Sequence, residues 1–154
     1  MTQSETNVRT LTLAAASRIV DDALATGRAA KLKPLSVAVL DAGGHLVAFK
    51  REDHSGILRF EVAFGKAWGA LGLGRPSRGY EKVATERPWF VNALIGASGG
   101  RLVPVAGGVL VRNSQGDIIG AVGISGDTSA ADETCAITAV KAAGLVPDPE
   151  TPEA

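Results

Sequence analysis

The chain has 154 residues, which suits one domain with a well-buried core, and its 16 lysines and arginines are balanced by 16 aspartates and glutamates. A net charge of zero, with aromatic residues at only 5%, argues against the basic and base-stacking surfaces that hold nucleic acid. Because the first residues do not form a basic and then apolar leader, and no apolar run approaches the roughly 18 residues that span a bilayer, we expect a cytoplasmic protein that binds neither nucleic acid nor membrane.

The first part of the chain predicts a helix followed by a hairpin. Apolar residues recur at helical spacing over residues 11–32, and Pro34 ends that pattern. Residues 36–41 are typical of a buried strand, and a glycine-containing turn leads into a second strand over residues 45–51. Strands joined by so short a turn must pair antiparallel.

The middle of the chain predicts more helices and a second hairpin. Residues 57–72 have a helical pattern, and residues 77–97 predict one or two shorter helices with a break at Pro88. Apolar β-branched runs within 103–112 and 118–126 lie on both sides of a polar, glycine-containing turn. This arrangement indicates a hairpin.

Three carboxylates surround the start of the last predicted helix, over residues 130–143. Ser129 is the expected N-cap, with Asp132 as the return partner of a capping box. Asp127, Asp132 and Glu133 resemble an acidic cluster, but neighbouring positions on a helix point to different sides. Capping and favourable interaction with the helix dipole are therefore the preferred interpretation, and a divalent cation held by Asp127 and Glu133 is the alternative.

These elements predict an α+β domain, an antiparallel sheet of about five strands flanked by helices. We assign residues 9–146 to this single domain. Residues 1–8 are expected to be a flexible N-terminus, and the proline- and glutamate-rich residues 147–154 an extended or flexible tail.

Four segments, in order and spacing, resemble the GlcG/HbpS family (the haem-binding-protein-like DUF336 domain). They are residues 35–51, the Gly-Lys-Ala at 65–67, residues 103–127, and the Asp-Glu at 132–133. The resemblance covers nearly the whole chain. It implies a profilin-like or PAS-like sheet, assembly into homo-oligomers, and binding of haem or another small ligand.

Two departures from the family pattern fall where a pocket rim or a core strand is expected. Residues 53–55 read Asp-His-Ser where the family usually has Asp-Gly-Ala. Leu110 and Val111 stand where Pro-Ile is common. The first departure adds a titratable group, His54, at a position that is usually glycine.

Lys66 is the first candidate for chemistry, because its helix neighbours Ala63, Ala67 and Ala70 are small. Its ammonium could hold a ligand carboxylate, or act as an amine if burial lowers its pKa. The alternative is an aliphatic stem that covers apolar surface while the ammonium stays in water.

Arg51, Asp53 and His54 form a polar group just after the second strand. Arg51 can hold an anion through a charge-assisted pair, and His54 can act as a general base or ligate a metal. His45, the other histidine, directly follows a turn, and a structural role at the edge of that turn is the simpler interpretation. If haem iron is bound, His54 or His45 is the ligand. With two histidines and the single Cys135, a structural zinc site is not expected.

Gly107, Gly108 and Arg101 belong to a glycine-rich segment that could bind a carboxylate or phosphate end through backbone amides. The spacing matches no nucleotide-binding motif, and close approach of a neighbouring strand or ligand is the preferred interpretation. We expect a pocket between the sheet, the Lys66 helix and residues 96–108.

Three functional hypotheses follow. The leading one is a small-ligand-binding protein, with haem as the ligand that the resemblance implies first, assembled as a homo-oligomer. The second is an enzyme of small-molecule catabolism, acting on an oxo or hydroxy acid or an aromatic breakdown product, in which Lys66 or Arg51 holds the carboxylate and His54 is the acid or base. The third is an oligomeric accessory protein without a ligand.

Overall fold

The structure is a computed structural model that describes residues 8–152. In that part of the chain it contains five helices and five strands: α1 (Leu13–Ala29), β1 (Ser36–Asp41), β2 (Leu46–Arg51), α2 (Arg59–Leu73), α3 (Gly79–Glu86), α4 (Pro88–Ala97), β3 (Gly108–Arg112), β4 (Ile118–Ser125), α5 (Ser129–Ala142) and β5 (Val146–Asp148). None of the described helices is long and apolar enough to cross a membrane. The α+β prediction is confirmed.

All five strands form one antiparallel sheet in the order β2-β1-β4-β3-β5. The two predicted hairpins, β1–β2 and β3–β4, are both present, and they join through β1 and β4 in the middle of the sheet. Ser36 at the start of β1 therefore lies between Arg51 of β2 and Ser125 of β4. This register brings three polar residues from distant parts of the chain to one end of the sheet.

Helices cover both faces of the sheet. Helices α1 and α5 pack together on one face, over inward residues such as Val37, Val122 and Ile124. Helix α2 packs on the other face, where Leu40, Leu110 and Ala121 meet its alanines. Both clusters are removed from water, and burial of apolar area is the main stabilising contribution.

Helix α2 lies unusually close to the sheet, because two strand positions facing it are glycine. A Cβ atom at Gly123 would overlap the carbonyl oxygen of Ala63, and one at Gly108 would overlap the carbonyl oxygen of Lys66. The absence of a side chain at these positions lets the helix backbone contact the strands directly.

Three details of the predicted elements are wrong. The loop before β3 is not a strand until Gly108. Val103 donates its N–H to the carbonyl oxygen of Gly65 in α2, and Ala106 donates its N–H to the carboxylate of Glu81 in α3, so bonding to β4 begins only at Gly107, whose carbonyl oxygen accepts from Ile124. The N-cap of α5 is Thr128, whose hydroxyl accepts from Ala131, and not Ser129.

The third correction concerns the start of the predicted tail. Residues Val146–Asp148 pair with β3, and the carboxylate of Asp148 lies 3.0 Å from Arg112. The sheet therefore continues past residue 146, and Pro147 and Asp148 are part of the domain.

Candidate functional site

The loop that follows β2 forms a groove of about 490 Å³, which we call the β2-end groove. It is lined by Arg51, Glu52, Asp53, His54, Ser55 and Ile57. Three of the residues predicted as ligand-binding, Arg51, Asp53 and His54, lie in it together. The volume falls within the range of about 300–1,000 Å³ that is usual for small-ligand sites.

Glu52 and Ser55 anchor the loop that forms this groove. One carboxylate oxygen of Glu52 accepts from the backbone N–H of Leu35 at 2.7 Å, and the other pairs with Arg28 at 2.6 Å. The hydroxyl of Ser55 lies 2.8 Å from that of Ser36 in β1. The loop is thus fixed to the sheet and to α1 on either side of His54. Neither anchor is predictable from a local pattern, since their partners are distant in the chain.

His54 has a left-handed backbone, with φ +70°. This conformation is unfavourable for a residue with a Cβ atom, although histidine is among the side chains found there more often than most. Its side chain is exposed, and within residues 8–152 the structure gives it no hydrogen bond or ion pair. An imidazole held in this way is available to bind a metal or to exchange a proton.

The groove also offers a cation and apolar surface. The guanidinium of Arg51 is exposed and makes no ion pair with a described residue. Ile57, which lines the groove, and Leu58, the next residue, are 89% and 66% exposed. Large apolar side chains exposed next to charged groups are typical of binding sites. The arrangement suits an amphiphilic ligand with an apolar body and an acidic group.

Lys66 lies outside this groove. It is only 2% exposed, and its Nζ donates to the carbonyl oxygen of Ile124 at 2.9 Å and to Oδ2 of Asp132 at 3.2 Å. Burial lowers the pKa of Lys66 and raises that of Asp132, while the attraction between the two charges opposes both changes. The ammonium is therefore engaged inside the protein, and the alternative of a stem with its head in water is wrong.

Gly107 and Gly108 face Lys66 rather than a ligand. A Cβ atom on Gly107 would lie 2.9 Å from the Lys66 Nζ. These glycines make room for the buried lysine and its helix, as the preferred interpretation of close approach predicted. The groove that the structure shows beside α2 and the start of the 96–108 segment has a volume of about 170 Å³ and is lined by residues such as Trp68, Leu94 and Leu102, and Lys66 is not among its lining residues.

The three carboxylates near α5 have separate partners. Asp127 accepts from the backbone N–H groups of Lys33 and Thr128, which hold its pKa below the usual value. Asp132 pairs with Lys66 through one carboxylate oxygen, and its other oxygen accepts from the backbone N–H of Asp127 at 3.1 Å rather than from that of Ser129, so the predicted capping box is wrong in its partner. Glu133 pairs with Arg78 at 3.2 Å. In the described part of the chain, no group of three or more potential metal ligands comes together.

His45 and Arg101, the other two candidates, are in different places. The Nδ1 of His45 lies 3.1 Å from Oδ1 of Asp41, beside a separate cavity of about 360 Å³. The N–H of His45 and the imidazole beside it hold the pKa of Asp41 below its usual value. Arg101 stacks 4.7 Å from the ring centre of Trp68 and donates to Ser98. Neither residue lines the β2-end groove.

Comparison with known proteins identifies relatives of the whole chain. Residues 11–141 match a family model described as haem degrading protein HbpS-like. Protein GlcG of Escherichia coli strain K12 is 39% identical over 92 residues, which are 59% of this chain and 63% of GlcG, so the matched part spans less than two thirds of that relative.

Solved structures share the fold. Klebsiella pneumoniae protein ORFY is 26% identical, with a TM-score of 0.80, covering 94% of this chain and 97% of that one. A complex of PduOC with heme is 24% identical, with a TM-score of 0.79, covering 88% and 96%. The second likeness is one of fold alone.

Proposed function

The chain belongs to the HbpS-like family, and from that membership and its own β2-end groove we propose that it binds haem, with His54 as the iron ligand. The observation that carries the proposal is His54 itself. Its imidazole has no partner within residues 8–152, its backbone conformation is unfavourable, and it lines a groove. Strained positions of this kind cluster at functional sites.

The residues of the β2-end groove fit a haem group. An imidazole nitrogen commonly ligates haem iron, so His54 would hold the iron. The guanidinium of Arg51 would bind a propionate carboxylate through two parallel hydrogen bonds. Ile57 lines the groove, Leu58 follows it in the chain, and both exposed side chains would offer apolar contact to the porphyrin. When bound, haem would supply the iron chemistry, and these residues would bind and orient it.

His54 is a better candidate than His45 for two reasons. The ring of His45 is already hydrogen-bonded to Asp41, whereas that of His54 has no described partner. The two histidines also lie at opposite ends of β2, a strand of six residues, which separates them by roughly 20 Å. One chain therefore cannot place both on a single iron.

We also propose that the protein assembles with copies of itself, as the family resemblance implies. Leu73 and Trp89 are 51% and 66% exposed, and such large apolar side chains are common at contacts between subunits. The enzyme hypothesis is weaker, because Lys66 is buried against Asp132 and cannot share a substrate with Arg51 and His54. Of the residues that this hypothesis uses, Arg51 and His54 still share one groove, where Arg51 would bind a carboxylate and His54 would be the acid or base.

A haemin titration followed at the Soret band tests the proposal. We expect saturation at one haem per chain for the wild type, and loss of the saturable change in His54→Ala. His45→Ala is the matched control and should titrate like the wild type. Arg51→Ala should weaken binding several-fold without changing the ligation spectrum. An unchanged spectrum and affinity in His54→Ala would overturn the assignment.

A further inference from the structure

A second cavity, of about 360 Å³, lies at the turn between β1 and β2, at the opposite end of β2 from His54. We call it the β1–β2 turn cavity, and its lining includes Arg9, Leu11, Asp41, His45 and Ile119. The buried residues among these, Leu11 and Ile119, are apolar. Arg9 and His45 are exposed. A cavity of this volume, with apolar walls and a few polar groups beside them, is typical of a small-molecule site.

Asp41 determines which nitrogen of the His45 imidazole is available to a ligand. Nδ1 of His45 lies 3.1 Å from Oδ1 and 3.3 Å from Oδ2 of Asp41. The pKa of Asp41 is held below its usual value, so its carboxylate is ionised at neutral pH and can only accept hydrogen bonds. Nδ1 therefore carries a proton in both forms of the ring. Nε2 has no hydrogen bond with a described residue, and it donates when the ring is protonated.

The carboxylate of Asp41 is bound by its own turn and not by Arg9. Its Oδ1 accepts from the backbone N–H groups of Gly43 and His45, each at 2.9 Å, as well as from the imidazole. Arg9 lines the same cavity, but the structure gives it no ion pair with a described residue. The cavity therefore offers the guanidinium of Arg9 to an added anion, beside an imidazole whose Nε2 has no described partner.

The segment that carries Arg9 is fixed to the domain on both sides. Before it, the carbonyl oxygen of Val8 accepts from Nδ2 of Asn113 at 2.9 Å. After it, Leu11 is buried in the core, and the hydroxyl of Thr12 accepts from the first turn of α1 as its N-cap. Arg9 thus starts from a backbone that is already in place, which lowers the entropic cost of holding a ligand.

A metal cation suits this cavity less well than an anion does. Oδ1 of Asp41 already accepts three hydrogen bonds, and the charge of Arg9 repels a cation. Nowhere in residues 8–152 do three or more potential metal ligands come together. The charge of the cavity and its apolar walls together favour an anion with an apolar body.

We propose that the β1–β2 turn cavity binds a small monocarboxylic acid with an apolar body, as a ligand site separate from the β2-end groove. One guanidinium matches one carboxylate, which Arg9 binds through two parallel hydrogen bonds. His45 in its protonated form donates from Nε2 to the same carboxylate, while Asp41 accepts from Nδ1. The apolar body lies against Leu11 and Ile119, where contact with water is lost on binding.

Nuclear magnetic resonance of the histidine rings tests the proposal, because the chain has only two histidines. The variants His45→Ala and His54→Ala assign the two ring signals. Benzoate and hexanoate are the probes, and benzamide, the neutral isostere of benzoate, is the control. We expect both acids to move the His45 signal in a saturable way. Benzamide should bind at least about tenfold more weakly, because it cannot form the charge-assisted pair.

Three variants test the parts of the site. Arg9→Gln should raise the dissociation constant of benzoate about tenfold. Arg51→Gln is the matched control, since it removes the exposed arginine of the other site and should leave benzoate binding unchanged. Ala42→Trp keeps Arg9 and His45 but places a large side chain at the wall of the cavity, so it should abolish the saturable shift. Circular dichroism checks that all three remain folded.

The outcomes separate this inference from the haem proposal. A benzoate shift of the His54 signal that is lost in Arg51→Gln, with the His45 signal unmoved, would overturn it and assign the acid to the β2-end groove. No saturable shift with either acid would overturn it as well, and so would equal affinity for benzoate and benzamide. Haemin titration of Arg9→Gln should match that of the wild type, so either proposal can fail while the other stands.

Discussion

Replacing His54 by glycine should abolish the proposed haem binding and, at the same time, stabilise the fold. The left-handed backbone of His54, with φ +70°, costs a residue with a Cβ atom about 1–2 kcal/mol. Glycine adopts it without that cost but loses about 0.5–1 kcal/mol more backbone entropy on folding. The imidazole has no described partner to lose. We therefore expect His54→Gly to raise the free energy of unfolding of the haem-free protein by up to about 1.5 kcal/mol, or up to roughly 3–6 °C in Tm.

Two variants isolate the causes of these effects. His54→Ala keeps the Cβ atom and the strain, so its stability should stay within about 0.5 kcal/mol of the wild type. Lys31 also has a positive φ, of 56°, and is exposed at the end of α1. Lys31→Gly should therefore stabilise the protein in the same way.

Urea unfolding and the haemin titration together read out the result. Both His54 variants should lose the saturable Soret change, while Lys31→Gly should keep it. A His54→Gly protein less stable than the wild type would refute the strain argument. One that still titrated with haemin would refute the role of His54 as iron ligand.

Three further predictions concern the packing around α2 and α5. Lys66→Met should lower the free energy of unfolding by about 3–5 kcal/mol, because it leaves the buried Asp132 without its cation. In urea unfolding, the double variant Lys66→Met/Asp132→Asn should recover part of that loss. Strictly additive effects of the two substitutions would contradict the pairing. Gly123→Ala should cost at least about 1–3 kcal/mol through overpacking against α2, whereas Gly72→Ala, where a Cβ atom has ordinary contacts, should be neutral or slightly stabilising. Burial raises the pKa of Cys135 to about 11, so at pH 8 only about one thiol in a thousand is ionised. Ellman's reagent should therefore label Cys135 in urea and not in the native protein. Rapid labelling of the native protein would contradict this prediction, because it would show that the thiol is accessible.

Much of the fold could be predicted from local patterns. The buried run of β1, its glycine turn and the strand that returns from it specify a hairpin, and β3 and β4 do the same around their polar turn. The apolar periodicity of residues 11–32 predicted α1, although Leu13, which belongs to that pattern, is 64% exposed. The start of β5 was not predictable in this way, because three residues pair only where β3 leaves an open edge.

The candidate site was predicted in part. Arg51, Asp53 and His54 are close in the chain, so their shared groove follows from their position after a strand. Lys66 was assigned to the same ligand, but its partner Asp132 lies 66 residues away. No local pattern shows that the middle of α2 reaches the end of β4 and the start of α5, where the two side chains meet.

The sequence by itself determined most of the helices and strands, the antiparallel pairing within each hairpin and the family to which the chain belongs, because all of these depend on residues that are near one another or on ordered motifs. Tertiary structure alone decided that Lys66 is buried against Asp132 and that the loop holding His54 is anchored on β1 and α1. Each of these depends on contacts between segments that only the packed sheet and helices bring together, where burial and close approach determine which charges pair and which side chains stay exposed.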